Sequence, residues 1–393
     1  MKKMLDEIIN SGIKLTPMIN QYVSIKKNYP NDLLFFRMGD FYELFFDDAK
    51  IASKILGITL THRGKIEQTP IPMAGIPYHS ANNYVDKVTN KGLKVIICEQ
   101  VEDPKEAKGI VKRKVVQIVS PGMPFDLEKS DSKEFNYMTC GIYSKGQFHF
   151  VFIDFTTGDF RGLSSSDEDD ILTKLSLLNP KELVTYHQQW EKFPRIKNIF
   201  KQRNTLRTSL DKDYFDYKNC KIYIEKIIPG VERDKVIMSK IDILSPISAI
   251  SFYISSTQSS DNFCHIRPFK LESEKGKMKI TLSTLMGLEI LPSCKEKYND
   301  SILGMMDKTK TSMGIRKMRS HFLVPWRDRE KINDFHFFIG HFLGNKEHLE
   351  EVRECLSNVR DIDRILAKIS AKKMNSADLL NLVETFVNYK RML

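Results

Sequence analysis

A Gly-Asp pair is followed directly by an aromatic residue and, two positions later, by a carboxylate. Gly39-Asp40 ends an apolar run, Phe41 comes next, and Glu43 lies two residues further on. A bulky aromatic side chain near a turn can stack on a nucleic-acid base or wedge into a base step. Four other phenylalanines lie within six positions of Phe41, and aromatic residues in such company are usually core residues. The local pattern alone leaves both readings of Phe41 open.

Glu43 needs a specific reason to face DNA, because phosphates repel a carboxylate. A purine N7 only accepts hydrogen bonds, so Glu43 can bond to it only as the protonated acid. The N3–H of a mispaired thymine could instead donate to the ionised carboxylate. The alternative is a solvated surface carboxylate with no role in binding.

Basic residues are the candidates for gripping phosphates. One cluster combines Lys112-Arg113-Lys114 with Lys105 and Lys108, and a second, turn-rich stretch contains Arg63 and Lys65. Each residue alone is equally consistent with a solvated charge. Across all 393 residues, 61 Lys and Arg outnumber 50 Asp and Glu, for a net charge of +11. This surplus is a mild indication of a polyanionic partner.

Several classes of protein are disfavoured by composition. Hydrophobic residues make up 41% and charged residues 28% of the chain, as in ordinary globular proteins. No run approaches the roughly 20 apolar residues of a membrane helix, and the N-terminus has no secretory signal pattern. The six cysteines include no Cys-x-x-Cys, which indicates reduced thiols in a cytoplasmic protein.

The elements that position Phe41 belong to a small mixed α/β domain over residues 1–125. Leu33–Met38 is predicted to be a strand that ends at the Gly-Asp turn. Residues 47–56 have apolar side chains at helical spacing and end at Gly57. Residues 94–98 and 114–119 are predicted to be further strands.

A second α/β domain is predicted over residues 126–240, and a helical region over 241–393. Residues 147–155 read as a strand, Thr156–Asp159 as a hairpin turn, residues 167–170 as an acidic helix start, and residues 182–186 as another strand. After about residue 235 the apolar spacing becomes helical. It predicts one helix over residues 356–369 and a last helix opened by an Asn375–Asp378 cap.

Five blocks in order resemble the N-terminal half of the bacterial MutS family of mismatch-repair proteins. The blocks are Thr16–Tyr22, Leu34–Phe45, Pro70–His79, Ile97–Gln100 and Lys112–Gly122. Further likeness occurs at residues 152–160, 281–290, 303–318 and 361–368. The resemblance implies a mismatch-recognition domain, an RNase H-like connector, and the first part of a helical core.

The resemblance also implies roles for individual residues and partners. Phe41 would stack on a mispaired base while Glu43 hydrogen-bonds to it. Gly75, Pro72 and Pro77 predict that the Pro70–His79 block is a shaped loop. The resemblance would place this block, with Met73, Tyr78 and His79, near the DNA, and Arg37 is a further candidate contact. The expected partner is duplex DNA with mismatches or small loops, in the cytoplasm at the nucleoid. The connector would offer a surface for a repair partner protein. Whether the chain forms a homodimer stays open.

The sequence contains no phosphate-binding loop. Its two Gly-Lys pairs, Gly64-Lys65 and Gly276-Lys277, lack the following Ser or Thr and the preceding Gly of that motif. MutS relatives hydrolyse ATP with Mg²⁺ in a C-terminal domain, so we expect this chain to have no ATPase activity and no cofactor of its own.

Two alternative functions come from different classes. Asp154 lies mid-strand, where RNase H-like nucleases keep a metal-binding acid, but metal-assisted hydrolysis needs two or three converging carboxylates. The other alternative is a protein-interaction module, or a truncated product without function.

Overall fold

The computed structural model describes residues 15–66, 68–102, 109–127, 133–258, 262–273, 276–291 and 298–392. These residues form two compact units. The first contains the described residues up to 126 together with 253–258, and the second contains those from 127 to 252 and from 262 onward. Lys105, Lys108 and Cys294 lie outside the described residues.

The first unit is built on one six-stranded mixed sheet. Its elements are α1 (Pro17–Asn28), β1 (Leu33–Met38), β2 (Phe41–Phe45), α2 (Phe46–Leu56), β3 (Thr61–Ile66), β4 (Thr69–Pro77), α3 (Ala81–Thr89), β5 (Val95–Gln100) and β6 (Arg113–Val119). The strand order is β3-β4-β2-β1-β5-β6. Strands β1 and β5 are parallel, and the other neighbours are antiparallel.

Both faces of this sheet are covered, which explains why β1 is apolar at consecutive positions. Leu33 and Phe35 point to the cluster that includes α2 and α3, whereas Leu34 and Phe36 pack with Tyr22 of α1. The turn between β1 and β2 is formed by Gly39 at φ 58°, a left-handed conformation that glycine adopts without steric cost. The strand predicted at 33–38 and the turn after it are confirmed.

Strand β4 corrects the prediction of a shaped loop at residues 70–79. It spans nine residues and contains three prolines, which cannot donate to a sheet ladder. Pro70 and Pro72 lie opposite β3 only, because β2 pairs with β4 from Met73 to Pro77. Pro77 lies beyond the last β3 pair. At each proline β4 therefore has one neighbouring strand rather than two.

The elements that follow are β7 (Met138–Ser144), β8 (Gln147–Asp154), β9 (Asp159–Ser165), α4 (Glu168–Leu178), β10 (Glu182–Thr185), α5 (Pro194–Gln202), β11 (Leu206–Ser209), α6 (Tyr217–Ile227), α7 (Lys235–Met238), α8 (Ile241–Thr257) and β12 (Lys270–Leu271). They belong to the second unit, except that the residues of α8 from 253 onward are part of the first. In the second sheet β7, β8 and β9 form an antiparallel meander, and β10 and β11 extend it in parallel. The order β9-β8-β7-β10-β11, with a short β12 at the edge, is the RNase H-like α/β arrangement that the resemblance implies.

The turn between β8 and β9 is packed tightly against the segment that follows α8. Gly158 has φ 71°, and a Cβ at this position would lie 2.0 Å from the carbonyl oxygen of His265. The Arg267 amide donates to the Gly158 carbonyl at 2.8 Å. The hairpin turn predicted at Thr156–Asp159 is thus confirmed, and its glycine is required both by backbone conformation and by space.

From residue 282 onward the described chain is helical. Its helices are α9 (Leu282–Gly287), α10 (Ile302–Met306), α11 (Ser312–Leu323), α12 (Arg329–Gly344), α13 (Lys346–Ser357), α14 (Ile362–Ser370) and α15 (Ser376–Met392). The last cap is confirmed: the Asp378 amide donates to Asn375 Oδ1 at 2.8 Å, and the Asn375 amide donates to Asp378 Oδ2 at 2.9 Å.

One helical prediction is wrong. Residues 356–369 do not form a single helix, because α13 ends at Ser357 and α14 begins at Ile362. Asp361, between them, binds the buried Arg316 guanidinium at 2.6 and 2.9 Å. This tertiary ion pair fixes the break between α13 and α14, whereas the apolar spacing alone predicts one continuous helix. Within the described part of the chain, none of the helices combines the length and apolar character needed to span a bilayer.

Candidate nucleic-acid interface

Phe41 lies at one end of the first sheet, with its ring partly in solvent. It is the first residue of β2 and is 47% exposed, while the next four residues, through Phe45, are buried. Phe41 pairs with Met38 on one side and Pro77 on the other. The same end of the sheet contains the ends of β1, β4 and β5 and the start of β6. Phe41 is therefore not a core residue.

The turn that presents Phe41 is held in place by Arg37 and Tyr78. The Arg37 guanidinium lies 3.7 Å from the centre of the Tyr78 ring, and its Nε donates to the Gly39 carbonyl at 2.5 Å. The Tyr78 amide donates to the Asp40 carbonyl at 2.9 Å. Arg37, a predicted DNA contact, thus already bonds within the protein. Tyr78 and His79, which follow the Pro77 that pairs with Phe41, are exposed.

Arg113 corrects the prediction of a continuous basic cluster. Arg113 is the first residue of β6 and is 9% exposed, whereas its two neighbours, Lys112 and Lys114, are exposed, as the alternation of side chains along an extended segment predicts. Arg113 donates to the Arg37 carbonyl at 2.6 Å and to Gln21 Oε1 at 3.0 Å. Burial lowers the pKa of its guanidinium. Arg113 is a structural residue beneath the β1–β2 turn and is not presented to a phosphate.

Glu43 and Arg63 form an ion pair that the sequence does not predict. Arg63 Nη1 lies 2.5 and 2.6 Å from the two carboxylate oxygens of Glu43. Arg63 belongs to β3, at an irregularity in its pairing with β4, and it reaches across β4 to β2. Gly75, directly opposite Glu43 in β4, has no side chain to separate them. The Glu43 side chain is 12% exposed and that of Arg63 45%, so a neutralised carboxylate borders the surface near Phe41.

The remaining predicted contacts do not form one patch. Strands β3 and β6 are the opposite edges of the sheet, about 24 Å apart at the usual strand spacing. Lys65 is therefore separated from Lys112 and Lys114, with Phe41 and Glu43 on a strand between them. Met73 is only partly exposed and packs against the core cluster around Tyr22, so it is not placed as a surface contact.

Asp154 is explained by local structure. Its carboxylate accepts hydrogen bonds from the Thr156 amide at 2.8 Å, the Thr156 hydroxyl at 2.7 Å and the Asn136 amide at 2.9 Å. Its oxygens stabilise the β8–β9 turn. Across the described ranges, no group of three His, Cys, Asp or Glu side chains is placed to hold a metal ion. The structure thus gives Asp154 a structural role and offers no support for the nuclease alternative.

Comparison with known proteins agrees with this architecture. The chain matches the families described as MutS domain I over residues 16–128, MutS domain II over residues 136–267, and MutS domain III over residues 283–392. The protein named DNA mismatch repair protein MutS from Staphylococcus epidermidis is 34% identical over 369 residues. Those of Aquifex pyrophilus and Clostridium kluyveri are each 35% identical, over 377 and 374 residues.

The chain has two α/β regions, each built on a mixed sheet, and a run of helices follows them. This architecture defines a multidomain protein of the α/β plus α class. The matches cover 94% of this chain and all three of its predicted regions. The chain belongs to the MutS family. It spans 40 to 42% of the length of these curated relatives.

Proposed function

We propose that this chain binds duplex DNA and recognises mispaired bases or small unpaired loops. The observation that carries the proposal is the exposure of the Phe41 ring, beside four buried residues, at the end of the first sheet. Its relatives in Staphylococcus epidermidis and Aquifex pyrophilus, which are named DNA mismatch repair protein MutS, support it. The proposal includes a homodimer and a repair partner that docks on the second unit.

In the proposed mechanism the duplex is kinked and Phe41 tests the base step. Separating two stacked bases costs a few kcal/mol, and a mispaired step is already weakened. The ring therefore enters a mispaired step more readily than a paired one. The turn supports this role, because Arg37 and Tyr78 donate hydrogen bonds to the Gly39 and Asp40 carbonyls directly before Phe41.

Arg63 would allow Glu43 to face the DNA. A lone carboxylate at this surface would repel the phosphates, but Arg63 neutralises it at 2.5 Å. When a displaced base reaches Glu43, the flexible and partly exposed Arg63 side chain can shift towards a phosphate. The carboxylate is then freed to accept a hydrogen bond from the base.

We expect Phe41→Ala to abolish the preference for mispaired DNA. Stacking of a base on an aromatic side chain contributes roughly 1–3 kcal/mol, so affinity for a mispaired duplex should fall about tenfold or more. Affinity for a matched duplex should change little, since phosphate contacts are kept. Fluorescence anisotropy with matched and mispaired duplexes of the same length measures both affinities.

Tyr389→Ala is the matched control, because Tyr389 is 55% exposed but lies on α15, in the second unit. It should leave the ratio of the two affinities unchanged. Equal loss of matched and mispaired binding in Phe41→Ala, with the fold intact by circular dichroism, would show that the ring supports general binding only and would refute the probe.

Arg63→Gln is expected to weaken binding of both duplexes by about tenfold, because it leaves the Glu43 charge facing phosphates in a partly desolvated position. The companion Arg63→Gln/Glu43→Gln variant should recover most of the matched-duplex affinity, since the repelling charge is gone. The same anisotropy titrations at constant salt measure this recovery.

This pair of variants separates two roles of Arg63. If Arg63 acted only as a phosphate contact, the double variant would bind matched DNA as weakly as Arg63→Gln. Lys65→Gln, on the same edge strand, is the control for loss of one positive charge without exposure of a carboxylate.

A further inference from the structure

The second unit contains a cavity of about 740 Å³ with a strong excess of positive charge. This volume lies in the range of small-molecule sites, about 300–1,000 Å³. Its walls come from the sheet, from α4, and from α11 and the segment after it. Nine Lys or Arg residues line it against four Asp or Glu.

All four acidic residues are already paired with arginine. Asp159 lies 2.6 Å from Arg161, and Glu272 binds both Arg161 and Lys174. Asp363 binds Arg316 and Arg267, and Glu134 binds Arg319 at 2.7 Å. These ion pairs involve all four arginines of the cavity wall and Lys174. Among the described residues, no carboxylate lies within ion-pair distance of the four other lysines in the wall, which are Lys270, Lys277, Lys317 and Lys331.

Two buried polar atoms of the cavity wall also have no partner among the described residues. They are Nε1 of Trp326 and Nε2 of His321, and both residues line the cavity. The indole N–H can only donate a hydrogen bond. A buried donor without an acceptor is costly, but each of these two atoms exposes less than 1 Å² of surface, so neither is offered directly to a ligand in the cavity.

The donors are held by a backbone framework rather than by free side chains alone. Lys277 and Trp326 face each other in an antiparallel bridge. The Met278 amide donates to the Pro325 carbonyl at 2.8 Å, and the Arg327 amide donates to the Gly276 carbonyl at 2.7 Å. The Lys331 ammonium lies 4.1 Å from the centre of the Trp326 ring.

We propose that this cavity binds a polyphosphate chain, either inorganic polyphosphate or the phosphates of a nucleoside polyphosphate. Phosphate oxygens only accept hydrogen bonds and carry several negative charges in a small volume. They therefore match a wall with four lysines that have no carboxylate partner among the described residues. A monocarboxylate would leave most of this positive charge unbalanced. The site is separate from the proposed mismatch probe, which lies in the first unit.

Charge coupling within the wall supports the geometry. The pKa of the His321 imidazole is lowered by burial and then by Lys317. The pKa of Lys174 is lowered by burial; the Glu272 carboxylate opposes that shift, and Arg161 and Lys277 add to it. The cations thus lie near enough to one another for an anion to relieve their repulsion.

Trp326 provides a direct readout. We expect sodium tripolyphosphate, added to the full chain, to change tryptophan fluorescence saturably with one site per chain, and Trp326→Phe to abolish that change. A nucleoside triphosphate titrated in parallel distinguishes the two sources, since tighter binding than tripolyphosphate would assign a contact to the nucleoside. Sulfate at equal ionic strength should give no saturable signal.

The Lys277→Gln/Lys317→Gln variant should weaken tripolyphosphate binding by about tenfold or more, because each charged hydrogen bond is strong. Lys201→Gln, an exposed lysine of α5 outside the cavity, should change the affinity less than about twofold. Calorimetric titration gives both values, and circular dichroism checks the fold. An equal loss in Lys201→Gln, or a signal reproduced by sulfate, would overturn the proposal. Binding of oligonucleotides alone, lost in the cavity variant, would assign the site to nucleic acid instead.

Discussion

Asp48→Ala is expected to destabilise the first unit by about 3–5 kcal/mol, since removing one partner of a buried ion pair leaves the other charge unpaired. The Asp48 side chain is 5% exposed and accepts from Lys26 Nζ at 2.7 Å. It also accepts from the Tyr22 hydroxyl and the Leu34 amide, both at 3.0 Å. One carboxylate thus ties α1 and β1 to α2. Burial raises its pKa, and Lys26 opposes that shift.

Hydrogen exchange of the β1 and α1 amides in increasing urea measures this effect in the first unit alone. Asp47→Ala is the matched control, because Asp47 is the preceding residue but pairs with Lys50 on the surface at 3.4 Å. It should cost less than about 1 kcal/mol. Lys26→Met/Asp48→Ala should be more stable than Asp48→Ala. If the double variant is the less stable one, the unpaired ammonium is not the cause of the loss.

Local chemistry explains which parts of the fold are predictable from the sequence. Gly39 and Gly57 adopt positive φ where a strand and a helix end. Asp167 caps α4 by accepting from the Asp169 amide, and Asn375 with Asp378 caps α15. Each signal depends on residues within a few positions, so it survives in any tertiary context.

The errors arise where a distant partner decides the outcome. Three prolines make β4 resemble a loop, and only its staggered pairing with β2 and β3 permits a strand. The break after α13 depends on Arg316, which is 45 positions before Asp361. Neither partner can be identified from the local pattern.

The candidate site divides in the same way. Exposure of Phe41 follows from its place at a turn, although its aromatic neighbours favour burial. Arg113 looks like part of a basic run. Successive side chains of an extended segment point to opposite faces, so Arg113 points away from the face that carries Lys112 and Lys114. This alternation is the sequence signal that predicts its burial. The Glu43–Arg63 pair is not predictable, because β4 separates the two strands in the sheet.

The stability of the second unit is expected to fall at mildly acidic pH because of His265. The imidazole is 7% exposed, its Nε2 lies 3.0 Å from the Phe155 carbonyl, and its Nδ1 is buried without a partner among the described residues. Nε2 therefore carries the proton of the neutral ring, and a second proton on Nδ1 would be a buried donor with no acceptor. Burial lowers the pKa of His265 to about 4, from 6.5.

The sign of the pH effect follows from this depressed pKa. Below about pH 6.5 the unfolded chain binds a proton at this residue, whereas the folded chain does so only near pH 4. The stability that comes from keeping His265 neutral is thus fully present above the unfolded-state pKa of 6.5, and it is lost as the pH falls towards about 4. Between about pH 7.5 and about pH 5 it amounts to about 2 kcal/mol. The ring is held in place by an edge-to-face contact with Phe155, with 4.9 Å between the ring centres.

His265→Gln isolates this contribution, since the amide can still donate towards the Phe155 carbonyl but does not titrate. Urea unfolding of the second unit at both pH values should show a smaller loss on acidification in the variant, by about 2 kcal/mol. The exposed His187, in the same unit, gives the control His187→Gln, which should keep the full pH dependence. If His265→Gln loses as much stability as the unmodified chain, other groups are responsible for the acid sensitivity of this unit.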